Sequence, residues 1–302
     1  LEKTARLFEI ICRALPQPCR VTYMSSAKNP FTASVFSPAD GIVDSDIIVM
    51  DAQILYHDLL VNVLPRTGSD TIVAIPNIFD QMVRLPKIMH TARTNYYVSS
   101  ILSVDNGLLL MMKTRIPREF LEALGRAYRE AMLRGAHPVS YNTGRFLYMI
   151  ARFMGTRRKT SILEIGAGTG FSTLWLGLAA QHAGAKLVSY ERDPDLAGLA
   201  RAHIVSSSLQ KNIELLCGDA ARGIKEKDYY LAFIDGEKTE YIKYIQILEP
   251  LMNNTVIISH NTLSHPIELR EFIEKIYGKN YLSLTLMPDN AGLTISLYHI
   301  NK

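Results

Sequence analysis

Leu163-Glu164-Ile165-Gly166-Ala167-Gly168-Thr169-Gly170 closes a short apolar run at residues 161–165 and opens a helical pattern at Phe171. Glycines at such a junction permit a tight turn and let a ligand approach the backbone. The helix start presents N–H groups that have no partner inside the helix. The spacing is GxGxG, unlike the GxGxxG of dinucleotide binders. A lone glycine turn can be purely structural, so the next strands decide. Glu191 ends the following apolar run, 187–190, and stands 21 residues beyond Gly170. A carboxylate there can accept from both hydroxyls of a ribose. Asp219 follows a third run in Cys217-Gly218-Asp219-Ala220, within reach of an adenine amino group, and Ala220 leaves room for the ring. Ligands of open parallel sheets bind at the carboxyl ends of the strands, so this ordered series reads as a site.

Outward from this turn, strand and helix signals alternate. Strands are expected at 161–165, 186–190, 213–217, 230–234 and 255–259, and helices at 171–180, 196–208, 241–251 and 266–276. Strands at 281–287 and 293–300 flank Pro288-Asp289-Asn290-Ala291-Gly292, a connection short enough for an antiparallel hairpin. Apolar strands alternating with helices imply an α/β fold whose largely parallel sheet is covered on both faces. Upstream, 118–133 reads as an amphipathic helix broken by Arg134-Gly135-Ala136-His137-Pro138, and 143–154 as a second helix.

The chain's 302 residues exceed the usual single domain, so an additional module is expected. Its 48% apolar and 21% charged residues are those of a soluble globular protein. The formal net charge of +4 permits an acidic substrate without requiring one, and a nucleic acid is not expected. The densest basic run, Arg157-Arg158-Lys159, reads as a solvated helix-to-strand turn. Cys12, Cys19 and Cys217 form no CxxC pair and are odd in number, which argues against a disulfide framework or a zinc site. Cys217 sits in an apolar run and is expected in the core. No apolar stretch is long enough for a membrane span, and Leu1-Glu2-Lys3-Thr4-Ala5-Arg6 has no secretory pattern, so a cytoplasmic location is expected.

The stretch 46–113 also reads like 230–299 shifted by 184 residues. Asp51 falls on Asp235, Leu64 on Leu248, Thr71 on Thr255 and Asn77 on Asn261. After a one-residue gap, Ile88 falls on Ile273, Asn95 on Asn280, Tyr96 on Tyr281, Gly107 on Gly292 and Leu108 on Leu293. Residues 20–24 can stand for 212–216, and the helix 4–15 for the helix 196–208. Any two α/β segments share such apolar runs, and that plainer explanation stays open. A duplication would make 1–113 a degenerate half-copy without a glycine turn, 114–137 a helical connector and 138–302 the cofactor-binding domain. Gln53-Ile54 would then replace Glu237-Lys238, and Pro76 would replace His260.

Residues 138–300 resemble the catechol O-methyltransferase-like family of class I methyltransferases. The resemblance is carried by 163–170 with Phe171-Ser172-Thr173-Leu174, by Glu191-Arg192-Asp193-Pro194, by Phe233-Ile234-Asp235-Gly236-Glu237-Lys238 with Tyr241, and by 288–293. His137-Pro138-Val139-Ser140 with Gly144-Arg145-Phe146-Leu147 adds to it. It implies a Rossmann-like seven-stranded methyltransferase sheet, S-adenosylmethionine as methyl donor, often a divalent metal, and a small hydroxylated acceptor. The implied cofactor contacts are Glu164, Gly166, Ala167, Gly168, Gly170, Ser172, Glu191, Arg192, Asp219, Ala220 and Asp235. A metal would fall to Asp235, His260 and Asn261.

His260 is a departure, because the resemblance implies Asp-Asn where this chain has His260-Asn261. Magnesium prefers oxygen ligands, whereas histidine suits manganese, iron or zinc, or no metal at all. Two mechanisms follow. In one, a Mg²⁺ or Mn²⁺ ion lowers the pKa of the acceptor hydroxyl and Lys238 takes its proton. In the other, no metal binds and His260 is the base. His260 can also be no more than a buried histidine at a strand end. Acceptor nitrogen, a nucleic acid, or an inactive cofactor-binding scaffold are the rival readings, and a monomer or homodimer fits each.

Overall fold

The computed structural model describes residues 2–24, 45–50, 63–94, 97–225 and 227–298. They group into two compact units, Leu1–Ala5 with Gln17–Arg115, and Arg6–Pro16 with Ile116–Lys302. The first unit contains β1 (Val21–Met24), β2 (Ile47–Met50), β3 (Ile72–Pro76), β4 (Tyr97–Leu102) and β5 (Leu108–Lys113), ordered β1-β2-β3-β5-β4. The first three are parallel, and β5 runs antiparallel to both neighbours. Helix α1 (Glu2–Arg13) starts the chain and α2 (Leu85–Thr94) connects β3 to β4.

The second unit carries α3 (Arg118–Leu133), α4 (Tyr141–Arg158), β6 (Ser161–Ile165), α5 (Phe171–Ala183), β7 (Lys186–Glu191), α6 (Pro194–Ser206) and β8 (Ile213–Cys217). It continues through β9 (Tyr229–Ile234), α7 (Tyr241–Leu248), β10 (Met252–His260), α8 (Arg270–Ile276), β11 (Tyr281–Leu286) and β12 (Leu293–Tyr298). Its seven strands are ordered β11-β12-β10-β9-β6-β7-β8, and β12 alone runs against its neighbours. β9 is Tyr-Tyr-Leu-Ala-Phe-Ile and every residue is buried, as a central strand covered on both faces requires. The expected Rossmann-like sheet with its final hairpin is present. α4 begins earlier than its apolar pattern, because Ser140 caps it by accepting from the Thr143 N–H at 3.0 Å. α8 begins only at Arg270, four residues after the expected start.

Two surface expectations are overturned. Cys217 is exposed, because β8 is the edge strand and Cys217 is its last residue, still paired with Glu191 of β7. Arg158 is not a solvated charge. Its side chain is 9% exposed and donates to the carbonyls of Ala14 (3.1 Å), Asn253 (2.8 Å) and Asn254 (3.0 Å). Lys159 does make the turn, in the left-handed conformation at φ 54°. No helix among the described residues is long and apolar enough to cross a membrane.

The registers of the two sheets run in parallel. Ile47 pairs with Ile72 as Leu231 pairs with Val256, and Ile72 with Met112 as Val256 with Leu297. Pro76 faces Leu108 as His260 faces Leu293. Two sequence alignments shift. Tyr97 faces Lys113 as Tyr281 faces Tyr298, so Tyr97 and not Tyr96 occupies the place of Tyr281. β1 pairs with β2 as β6 pairs with β9, so residues 21–24 take the place of β6 rather than β8. Asp51, Gln53, Ile54, Asn95 and Tyr96 lie outside the described residues.

Replacing Arg158 with alanine leaves backbone carbonyls without their charged donor. A loss of about 2 kcal/mol is expected, read as a lower urea midpoint at unchanged slope, with Arg158→Lys in between.

Candidate active site

The carboxyl edge of the large sheet opens into a pocket of about 820 Å³, within the usual range for small-molecule sites. Its floor is the glycine turn. Gly166 has φ +95°, and a Cβ there would stand 2.3 Å from the Asp235 carbonyl oxygen, so only glycine lets the turn cross the end of β9. Gly168, at φ +55°, has open space where a Cβ would be, and its N–H donates to Glu191 Oε2 at 2.6 Å. Glu191 Oε1 accepts from the Asp193 N–H at 2.9 Å, so the carboxylate is held from two sides at the pocket wall. Asp219 and the buried Ala220 line the next strand end, with Asp219 accepting from the Ala221 N–H at 2.8 Å. Ala167, Ser172 and Arg192 also line the pocket. Arg192 pairs there with Glu237, another lining residue, at 2.8 Å.

Glu164 is placed differently from the other expected contacts. It is fully buried beneath the turn and accepts from Thr173 Oγ1 (2.6 Å) and Ser189 Oγ (2.5 Å), while its Oε1 has no partner. Burial, opposed by those hydroxyls, raises its pKa to about 7. The segment 114–137, read from sequence as a connector, carries α3, whose Tyr128 and Ala131 wall the pocket. Thr169 Oγ1 donates to the Ala127 carbonyl at 2.8 Å and so ties α3 to the turn.

At the opposite end, Lys238, Asp235, His260 and Asp289 come together. Lys238 Nζ donates to Asp235 Oδ1 (2.9 Å), the Gly236 carbonyl (3.1 Å) and Tyr241 Oη (3.4 Å). These three acceptors match the three protons of an ammonium. His260 Nδ1 stands 3.3 Å from Asp235 Oδ2, and Nε2 stands 3.4 Å from Asp289 Oδ1. A neutral imidazole has one N–H, so facing two carboxylates calls for the doubly protonated ring. Burial pulls the His260 pKa down, but Asp235 and then Asp289 outweigh it and lift it to about 9. Burial likewise opposes ionisation of both aspartates, and the His260 charge overcomes it, holding each below the usual range.

A divalent ion does not fit this donor set as it stands. The two carboxylates bracket the imidazole from opposite nitrogens, so they do not converge on one point with it. Asn261, at φ 64°, turns its amide to Ser264 Oγ at 3.1 Å. Among the described residues no cluster of His, Cys, Asp and Glu has the arrangement of a metal site. Asp289 was not singled out by sequence reasoning. It lies 29 residues from His260, and only the β10–β12 pairing brings the turn beside that side chain.

A seven-stranded sheet with this strand order, a glycine turn at its centre and carboxylates at successive strand ends defines an S-adenosylmethionine-dependent methyltransferase. The sequence pattern of the O-methyltransferase family matches residues 115–270, half of the chain. A catechol O-methyltransferase of Mycobacterium tuberculosis is 33% identical over 51% of this chain and 70% of its own length. One from Niastella koreensis is 25% identical over 56% of this chain and 72% of its own. Among solved structures, the O-methyltransferase of Bacillus cereus aligns with TM-score 0.51 at 24% identity, over 59% of this chain and 90% of that one. TomG of Streptomyces achromogenes aligns with TM-score 0.51 at 21% identity, over 62% and 92%. The chain belongs to the O-methyltransferase family.

The raised His260 pKa has a signed consequence. Its stabilisation is complete below the unfolded value near 6.5 and is lost as pH rises through about 9, amounting to about 3 kcal/mol at most. Urea midpoints should therefore fall between pH 6.5 and 9.5 in the native chain and stay flatter in His260→Gln. Equal slopes against pH in the two proteins would contradict the bracketed imidazole.

Proposed function

We propose that the chain methylates an oxygen of a small hydroxylated acceptor, with His260 as the base and without a catalytic metal. The observation that carries this is the imidazole held between Asp235 and Asp289 at the end of the pocket away from Glu191 and Asp219. S-adenosylmethionine supplies, when bound, a methyl group on a positively charged sulfur. Glu191 is suited to accept ribose hydroxyls, Asp219 and Ala220 to flank the adenine, and the glycine turn to admit the chain of the ligand against the backbone. Lys238 donates to three acceptors and holds Asp235 in place.

His260 serves in the fraction of molecules that has released its Nε2 proton, with the acceptor hydroxyl taking the place of Asp289 at that nitrogen, since Nδ1 is enclosed against Asp235. With a pKa of about 9, that fraction is roughly one in a hundred at pH 7, but the base so formed is well matched to a phenol near 10. Such a base contributes roughly 10²–10⁴-fold. The named relatives that act on catechol support a phenolic acceptor. We further propose that the first unit is a partial second copy of the fold without a cofactor site. The parallel registers support this, as does the sequence after β1, Ser25-Ser26-Ala27, which lacks the glycines that follow β6.

Calorimetric titration of the full chain with S-adenosylmethionine should give one site per chain, unchanged by a chelator. Glu191→Ala should weaken it at least about tenfold, the scale of a lost charge-assisted hydrogen bond pair. Binding at two sites, or methyl transfer to catechol only after Mg²⁺ or Mn²⁺ is added, would refute this reading.

A further inference from the structure

The glycine turn is gripped from outside the sheet at Thr169. This residue is buried, and its Oγ1 donates to the Ala127 carbonyl of α3 at 2.8 Å. Its own carbonyl faces His203 Nδ1 of α6 at 2.8 Å. A carbonyl only accepts, so Nδ1 carries a proton and donates there. The other ring nitrogen, Nε2, faces Glu130 Oε2 of α3 at 3.5 Å. That oxygen is enclosed and has no hydrogen-bond partner among the described residues. His203 is itself buried, so one ring meets both the turn and the helix packed on it.

The two helices treat the turn differently. α6 supports it. Gly170, at φ +94°, lies so near this helix that a Cβ would stand 3.2 Å from the Ala200 Cα. α3 covers it. Tyr128 and Ala131 line the pocket, and so does every residue from Gly135 to Ser140 beyond the helix end. The Tyr128 ring is held against Phe171, the first residue of α5, with centroids 5.3 Å apart, and against Tyr141 at 5.1 Å. Support and cover meet at Thr169. A further bond joins the same two helices away from the turn, from Arg126 Nη2 to Ser206 Oγ at 2.9 Å.

We propose that α3 and the segment after it form a cover over bound S-adenosylmethionine, and that His203 is the positioning residue that fastens this cover to the glycine turn. This rests on the glycine turn as the seat of the cofactor. His203 is not among the residues that line the pocket, so it acts through the Thr169 peptide. Without the Nδ1 donor the buried Thr169 carbonyl loses that partner, and the turn shifts to relieve the cost. Drawing it back into shape then opposes binding. The acceptor end, around His260, is untouched.

Calorimetric titration of full-chain variants with S-adenosylmethionine tests this. The amide of His203→Asn can stand where Nδ1 stands and should keep Kd within about threefold, whereas that of His203→Gln reaches toward Nε2, lacks the inner donor and should raise Kd about tenfold, the scale of one buried hydrogen bond. With catechol as acceptor, the KM for S-adenosylmethionine should rise in step in His203→Gln while kcat stays within about twofold. Arg126→Ala, which cuts the surface tie between the same helices, should leave Kd at its native value. A merely structural histidine would cost both His203 variants alike, so an equal rise in both, or native Kd in His203→Gln, would overturn the positioning role. A matching rise in Arg126→Ala would also overturn it, because helix packing alone would then set the affinity. The expected Kd pattern without any transfer to catechol would keep the cover and remove the acceptor reading. A native chain that binds no S-adenosylmethionine would overturn both.

Discussion

Asp235 donates its backbone N–H to the Ile165 carbonyl at 2.8 Å, and Gly166 crosses the Asp235 carbonyl so closely that no side chain fits between them. On the other side of the same turn, the Gly166 and Ala167 N–H groups both donate to the Tyr190 carbonyl, at 2.9 and 3.0 Å. The ends of β6, β7 and β9 are thereby locked into one edge. Glu191 is the residue after Tyr190, so its carboxylate reaches the Gly168 N–H without further adjustment. Asp235 is set by the same lock, and Lys238 and His260 take their places around it. A larger residue at 166 would separate the strand ends and disperse both halves of the pocket.

The charges at the acceptor end illustrate how a buried polar cluster is tolerated. Asp235 and Asp289 oppose His260 and Lys238, so the group is neutral as a whole, and each charge has a partner within 3.4 Å. Desolvation disfavours every one of them singly, and their mutual attraction reverses that cost. Loss of one member would strand its partner, which makes the cluster a unit rather than a sum of contacts.

Comparison of the two units separates scaffold from chemistry. Strand order, directions and pairings match across five strands, and in each unit a hairpin aspartate binds a threonine at a helix start. What differs is at strand ends, with Pro76 where the other unit has His260. A framework of this kind is indifferent to the reaction, and function resides in the few side chains its edges present.

The sequence by itself determined the parts of this protein that depend on local order. The glycine turn, the carboxylates at successive strand ends, the closing hairpin and the Asp235–Lys238 spacing were all legible, because each is set by residues a few positions apart. Residues 20–24 were matched with β8, whereas β1 pairs with β2 as β6 pairs with β9, since apolar runs do not say which neighbour they pair with. Three things waited for the tertiary structure. Arg158 reads as a surface charge until Ala14 and Asn253 close over it. Tyr128 reads as one more residue of a linking helix until α3 packs on the turn. Asp289 becomes part of the site only because an antiparallel pairing returns the chain to His260, and a contact made across such a distance leaves no periodic trace in the order of the residues.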